Sequence, residues 1–275
     1  MIFQVPFLNL LKSPKLEKKK KSFPLIQWID VLCLLAWGIL FLKYVVTGQI
    51  KLLIHPNYIG LVLATGIIFF GLAGVRILKL RRSNLNNSSG EHITLFSPRL
   101  SSFLLLSVAI LGLIIPPKIL SSQAALQIGV TDNLPLTRFQ PESFRTSTKP
   151  EDRSLFDWVR TLNVYPEPDA YTGQKANVKG FIIHLPELPD NYLFLARFVV
   201  TCCAVDAYPI GIPVQLEDSR ANYPQDMWIE VQGTMKTENI PVIGNSSKTK
   251  IEERRLVLVA KSIQEIPTPA DPYDY

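Results

Sequence analysis

The apolar positions of this chain fall into three long runs followed by a series of short, alternating ones. From about Leu25 to Val46 the chain is apolar apart from Gln27, Asp30 and Lys43. Tyr58 to Val75 carries no charge, and Leu100 to Pro117 again carries none, with Pro116 and Pro117 closing it. A helix rises ~1.5 Å per residue, so about 20 residues match a hydrocarbon core of ~30 Å. The pattern predicts three transmembrane helices, at about 25–46, 58–78 and 100–120. Gly48 to Asn57 predicts a short turn between the first two, because Pro56 cannot continue a helix. Ser83 to Gly90, rich in Asn and Ser, predicts a loop before the third. In the second span Gly60, Ala64 and Gly71 share one helical face, small enough for a close helix contact.

Past the third span the pattern changes. Residues 121–150 mix Ser, Thr, Pro and scattered charges without a period, which predicts a flexible or extended linker. Ser154 can cap a helix over Leu155 to Asn163, whose Leu155, Phe156, Val159 and Leu162 make one apolar face. Strand character follows at Ala176 to Ile183, Tyr192 to Val200, Ile210 to Leu216, Met227 to Thr234 and Leu256 to Ile263. Val178, Gly180, Ile182 and Trp228, Glu230, Gln232 alternate faces, and Gly180 and Gly233 sit near strand ends where a closed sheet must bend. The fold expected for residues 151–275 is therefore a mostly-β domain, an OB-like small barrel with one short helix, with a β-sandwich as the alternative. Lys236 to Glu253 reads as an exposed hairpin loop, and Pro267, Pro269 and Pro272 as an extended tail.

Charge fixes the orientation. The net charge of +6 divides into +10 on residues 1–117 and −4 on residues 118–275. The basic excess therefore belongs to the membrane half, and no basic stripe with interleaved aromatics remains for nucleic acid. Residues 1–24 hold six lysines and form a cytoplasmic basic tail. Positive residues are dense there and at 76–99 and sparse in the first loop, which places the N-terminus in the cytoplasm and the C-terminal domain outside. The expected localisation is the cell membrane, multi-pass. Asp30 lies about one turn in from the cytoplasmic interface, a place for an interfacial anchor or for a contact with a partner subunit. His55 and His92 fall in loops beside the spans and read as solvated.

Candidate chemistry is concentrated at Cys202 and Cys203, two of the three cysteines in the chain, with Asp206 close behind. Three readings are open. A disulfide between neighbours is strained, since a trans peptide holds their Cα atoms ~3.8 Å apart while ordinary bridges span ~4.4–6.8 Å. A buried pair would serve as small hydrophobes. A metal site needs the chain to turn there, which the segment Ala204 to Pro209 permits. In a helical turn Asp206 stands at i+4 from Cys202 and i+3 from Cys203, bringing thiol and carboxylate together. Soft sulfur with nitrogen or oxygen suits zinc or copper, and His184, alone among the histidines in lying within this domain, is the further candidate ligand. No Cys-x-x-Cys, nucleophile elbow or Gly-rich phosphate loop occurs, so the sequence points to binding rather than catalysis.

Several stretches together resemble a family of bacterial membrane proteins described as permease subunits, with N-terminal transmembrane helices and a C-terminal domain carrying a Cys-Cys and a nearby Asp. They are Ile114-Ile115-Pro116-Pro117-Lys118, Val178-Lys179-Gly180-Phe181, Ala196-Arg197-Phe198 through Thr201-Cys202-Cys203 to Asp206-Ala207, Trp228 to Gly233, and Pro269 to Tyr273. The stretch Asn245 to Glu253 is longer than that resemblance leads one to expect. The resemblance implies an accessory subunit beside a separate polytopic permease, with a link to transition metals in some relatives, and supplies no catalytic residues. The expectation is thus a membrane-bound accessory subunit with an extracytoplasmic ligand-binding domain. A membrane-anchored thiol enzyme using Cys202 or Cys203 and a ligand-free structural interaction module are the alternatives.

Overall fold

The computed structural model describes residues 24–82, 98–130, 149–241 and 252–275. The basic tail, the loop Ser83 to Gly90 with His92 beyond it, most of the linker and the tip of the Lys236 to Glu253 loop lie outside the described residues.

Three helices make the N-terminal half: α1, Pro24–Val46; α2, Ile59–Arg82; and α3, Pro98–Ile114. Two of them, over Trp28–Val46 and Pro56–Arg82, are long and apolar enough to cross a membrane, while the apolar stretch Leu100–Ile114 is shorter. Much of their apolar surface faces outward: Leu61 is 66% exposed, Ile67 63% and Phe103 62%. α1 packs against both of the others. Gly66 and Ala73 of α2 are buried, with Gly66 beside Phe41. Gly60, Ala64 and Gly71 are exposed, so the small-residue contact inside the chain uses a different face from the expected one. Against α3, Trp37 Nε1 donates to the Leu105 carbonyl at 3.1 Å, Tyr44 Oη to that of Gly112 at 2.6 Å and Lys43 Nζ to that of Leu113 at 2.7 Å. The Leu105 carbonyl has a second lone pair to offer besides its helical bond, whereas the Gly112 and Leu113 carbonyls stand four residues before Pro116 and Pro117, which have no N–H, so Tyr44 and Lys43 satisfy open helix-end acceptors. Asp30 is engaged within the chain, accepting from Ser102 Oγ of α3 at 2.6 Å and from Arg76 Nη1 of α2 at 3.3 Å.

A short helix, α4, Ser122–Ile128, occupies the start of the stretch expected to be a linker. Ser121 caps it and Ala125 is fully buried, which is why a segment without an obvious period is ordered. α5, Leu155–Val164, begins with a capping box: Ser154 Oγ accepts from the Asp157 N–H and the Asp157 carboxylate from the Ser154 N–H, both at 3.1 Å. These bonds satisfy donors that a helix start leaves open. Trp158 and Val159 of α5 are fully buried.

Six strands follow: β1, Lys175–Ile183; β2, Tyr192–Val199; β3, Tyr208–Gln215; β4, Trp228–Pro241; β5, Glu252–Glu265; and β6, Tyr273–Asp274. They form one mixed sheet in the order β1-β4-β5-β3-β2-β6, and β1 also pairs with β2. β1 runs along β4 from Lys175 to Phe181 and along β2 from Phe181 to Ile183. Gly180 stands at that handover, where a Cβ would lie 2.6 Å from the Ala196 carbonyl oxygen. Gly233 marks a bulge between β4 and β5, with a Cβ position 2.1 Å from the Val259 oxygen. Both glycines lie inside their strands, at points where backbones come together.

β4 and β5 are longer than expected. Lys236 to Pro241 and Glu252 to Glu253, assigned from the sequence to a loop, are paired residues of these strands. The proline-rich tail also ends in pairing: β6 lies parallel to β2, and Tyr273, 2% exposed, takes the Leu120 N–H on its hydroxyl at 3.0 Å.

The apolar residues sort by the two faces of the strands. One cluster takes Val178, Leu195, Ile212, Val231 and Leu258 from the five long strands and closes on Leu155, Trp158 and Val159 of α5. The other holds Phe181, Phe194, Phe198, Trp228 and Val257, covered by Ala125, Val130 and Tyr273. Fully burying a large apolar side chain contributes roughly 1.5–3 kcal/mol, so this double layer makes β2 a rigid base for the turn that leaves its end.

Candidate metal site

That turn carries the cysteines. Val200 closes the ladder by donating to the Asp274 carbonyl at 3.0 Å, and Ala204–Asp206 then forms one turn of 3-10 helix before β3 starts. Asp206 reaches back beneath the turn. Its Oδ1 accepts from the N–H groups of Thr201 at 3.3 Å and Cys203 at 3.2 Å. Its Oδ2 accepts from the Thr201 hydroxyl at 2.5 Å and the Cys202 N–H at 2.9 Å. A carboxylate has about four lone-pair positions, and these four donors, with the Cys202 thiol beside them, crowd all of them. Burial alone would raise the Asp206 pKa, but hydrogen bonds from the Cys202 thiol, the Thr201 hydroxyl and the backbone outweigh it and hold the group at about 2.

With Asp206 directed inward, the thiols are left outside. Both are free, Cys202 exposed and Cys203 half-buried, which removes the buried-pair reading. Their sulfurs are 3.6 Å apart. A disulfide needs ~2.05 Å, so the pair is a dithiol here. Two sulfurs bound to one tetrahedral zinc at ~2.3 Å stand ~3.8 Å apart, close to the spacing the turn provides, whereas a linear arrangement would need ~4.6 Å. The hydrogen bond to Asp206, then that to Cys203, slight burial and the nearby negative charge push the Cys202 thiol up to about 11. Such a thiol is a poor nucleophile near neutral pH. A cation that binds there can displace the thiol protons, and the Asp206 carboxylate beside them favours its charge.

Among the described residues, Cys202, Cys203 and Asp206 make the one group of three or more metal-ligating side chains, their atoms within 4.8 Å of one another. His184 is not brought to it. Its ring Nε2 pairs with the Tyr223 carbonyl at 2.8 Å. It follows the last residue of β1, opposite the start of β2, while the cysteines lie beyond the end of β2. Seven residues of strand separate the two ends, roughly 20 Å.

The other wall of the site comes from the loop between α1 and α2, built of two 3-10 turns, Gln49–Leu52 and Pro56–Tyr58. Ile54 forms a β-bridge with Cys203. The His55 N–H donates to the Cys202 carbonyl at 3.0 Å and the Ala204 N–H to that of Leu53 at 2.8 Å. Lys51 Nζ lies 2.7 Å from Asp271 Oδ1, and the Tyr275 hydroxyl donates to the Lys51 carbonyl at 3.3 Å. The His55 ring meets Tyr275 edge-on, centroids 5.2 Å apart. His55, expected in solvent, is half-buried against the cysteine turn. Thr201 was also absent from the expected set, although an Asp side chain that accepts from backbone N–H groups three and four residues earlier is a known local bond.

Two family models match this chain. The DUF1980 N-terminal domain covers residues 29–131 and the DUF1980 C-terminal domain residues 149–275. Among curated proteins none matches.

Proposed function

This chain belongs to the DUF1980 family, carrying its N-terminal and C-terminal domains in one polypeptide, and we propose that it is a membrane-anchored accessory subunit of a permease whose outer domain binds a transition metal. The observation that carries this reading is the pair of outward-facing thiols 3.6 Å apart over the turn that Asp206 closes. Their spacing suits zinc, and copper(I) shares the preference for sulfur.

The membrane assignment rests on exposed apolar surface. Residues such as Leu61, Ile67 and Phe103 would be costly in water over so large an area and are at home in lipid or against a polytopic partner. Three crossings are proposed. The 17 residues of α3 rise ~26 Å, short of ~30 Å but near it. Charge placed the first loop and the C-terminal domain outside by separate steps. The contacts of Ile54 and His55 with Cys203 and Cys202 support that topology, which needs these two parts on one side. Read as an OB-like barrel, β1 through β5 close through the β1–β2 pairing, with α5 plugging one end.

The thiol-enzyme alternative needs a thiolate near neutral pH, and the elevated thiol speaks against Cys202 as its nucleophile. The test is metal content of the full chain, purified in detergent without oxygen, for the native protein and for C202S and C203S. About one equivalent of zinc or copper, lost in both variants, is the expected result. Equal metal in all three would remove the reading.

A further inference from the structure

The metal reading leaves the proposed site short of ligands. Structural zinc is almost always four-coordinate. The two thiols supply two positions, and the four donors on Asp206 leave its carboxylate no ready lone pair. A nitrogen must come from elsewhere, and His184 is at the far end of β2.

The bridge between Ile54 and Cys203 sets a register. The His55 N–H bonded to the Cys202 carbonyl puts His55 across from Cys202 at the first position past this isolated bridge, where pairing stops because the Cys202 N–H turns to Asp206 and the His55 carbonyl to Tyr58. Residues directly opposite in an antiparallel pair project from the same face, with Cβ atoms ~4.5–5.5 Å apart. Zinc with ~2.0 Å to nitrogen and ~2.3 Å to sulfur at a tetrahedral angle needs those atoms ~3.5 Å apart. A histidine and a cysteine on one face at that Cβ spacing meet the requirement by side-chain rotation alone. The main chain need not move, since it is already held on both sides of the bridge.

The imidazole has little to give up. Its Nδ1 accepts the Asn57 N–H at 3.1 Å, so this nitrogen presents a lone pair, held by a single bond in an exposed loop. Asn57 and Tyr58 beside it are exposed, leaving the mouth open.

We propose that His55 is a nitrogen ligand of the metal held by Cys202 and Cys203, so that the ion joins the α1–α2 loop to the β domain. This rests on the metal reading above. It adds a consequence that reading lacks: one ion holds together the two halves of the chain.

The test uses the full chain in detergent, freed of metal, titrated with cobalt(II) and then with competing zinc. The native protein is expected to show sulfur-to-cobalt charge-transfer bands and tetrahedral ligand-field bands. H55F keeps a ring against Tyr275 and removes the nitrogen. Loss of an outer partner alone costs ~10–100-fold in affinity, so H55F should weaken zinc by at least ~100-fold and shift the ligand-field bands. H55C offers a third sulfur, and its charge-transfer band should grow by about half, a gain that does not depend on a fragile variant. H184A should match the native protein. If H55F binds within about threefold of native and H55C adds no sulfur band, His55 is no ligand, though the metal reading stands. If the native protein takes up no more cobalt than C202S does, the metal reading itself falls, and this inference with it.

Discussion

Arg197 on β2 and Asp274 on β6 lie 3.3 Å apart with side chains only 14% and 18% exposed. Burial pushes the Asp274 carboxyl up, Arg197 opposes that, and Asp157 adds to it. A carboxyl whose folded pKa is raised holds its proton more tightly folded than unfolded. Its contribution is complete below the unfolded value of ~3.9 and is lost as pH rises through the folded one. D274N should therefore flatten the dependence of the melting temperature on pH above about 4. R197M leaves the carboxylate buried and unpaired, and should cost ~3–5 kcal/mol in chemical denaturation at pH 7.

Asp206 has the opposite sign. Its pKa of about 2 lies below the ordinary value, so it stabilises the turn above about pH 4, and that contribution fades as pH falls toward 2. D206N replaces a charged acceptor of three backbone N–H groups by a half-amide with one acceptor. Roughly 1–3 kcal/mol should be lost, and proteolysis in the 200–207 segment should quicken. Unchanged proteolysis would mean that the carboxylate does not organise the turn.

Cys202 is exposed, yet its thiol is pushed up to about 11. In metal-free protein its alkylation by iodoacetamide should keep rising about tenfold per pH unit past pH 9, where an ordinary thiol levels off. D206N should bring that plateau down toward the ordinary value. A plateau already near pH 8.5 in the native protein would show that Asp206 and Cys203 do not act on it.

Packing offers a check independent of the site. An alanine Cβ at position 233 would stand 2.1 Å from the Val259 carbonyl oxygen, backbone that has no room to yield. G233A should cost at least ~2 kcal/mol or prevent folding. W158A, which empties a fully buried position where α5 packs on β1, β2 and β3, should cost ~3–5 kcal/mol in urea. A cost below about 1 kcal/mol for W158A would place that helix outside the core.

The sequence announced what is local. The strands from Ala176 and Tyr192 begin within a residue of their expected starts because the first opens on alternating burial and the second is a nearly continuous apolar run. The Ser154 cap and the turn after Cys203 were legible for the same reason. His55 was not, since nothing near it in sequence hints at a partner beside Cys202. Its place follows from docking between distant segments, as does the sixth strand at Tyr273. α4 lacked a visible period because its two buried residues, Ser122 and Ala125, are small and one of them is polar. β4 and β5 ran past their apolar stretches because pairing with each other sustains polar residues such as Lys236 and Glu238. Asp206 was legible as a neighbour of the thiols, while the four bonds by which it closes the turn follow from geometry alone.

The bond from Lys51 to Asp271 spans 220 positions and that from Tyr275 to Lys51 spans 224. The loop is among the earliest of these segments to leave the ribosome and the tail among the last. Closing so long a chain segment is slow, and these contacts form only when both ends are present. The loop that walls the cysteine turn is thus fastened to the tail late in biosynthesis, so a nascent chain shows that wall loosely held before the finished protein shows it locked.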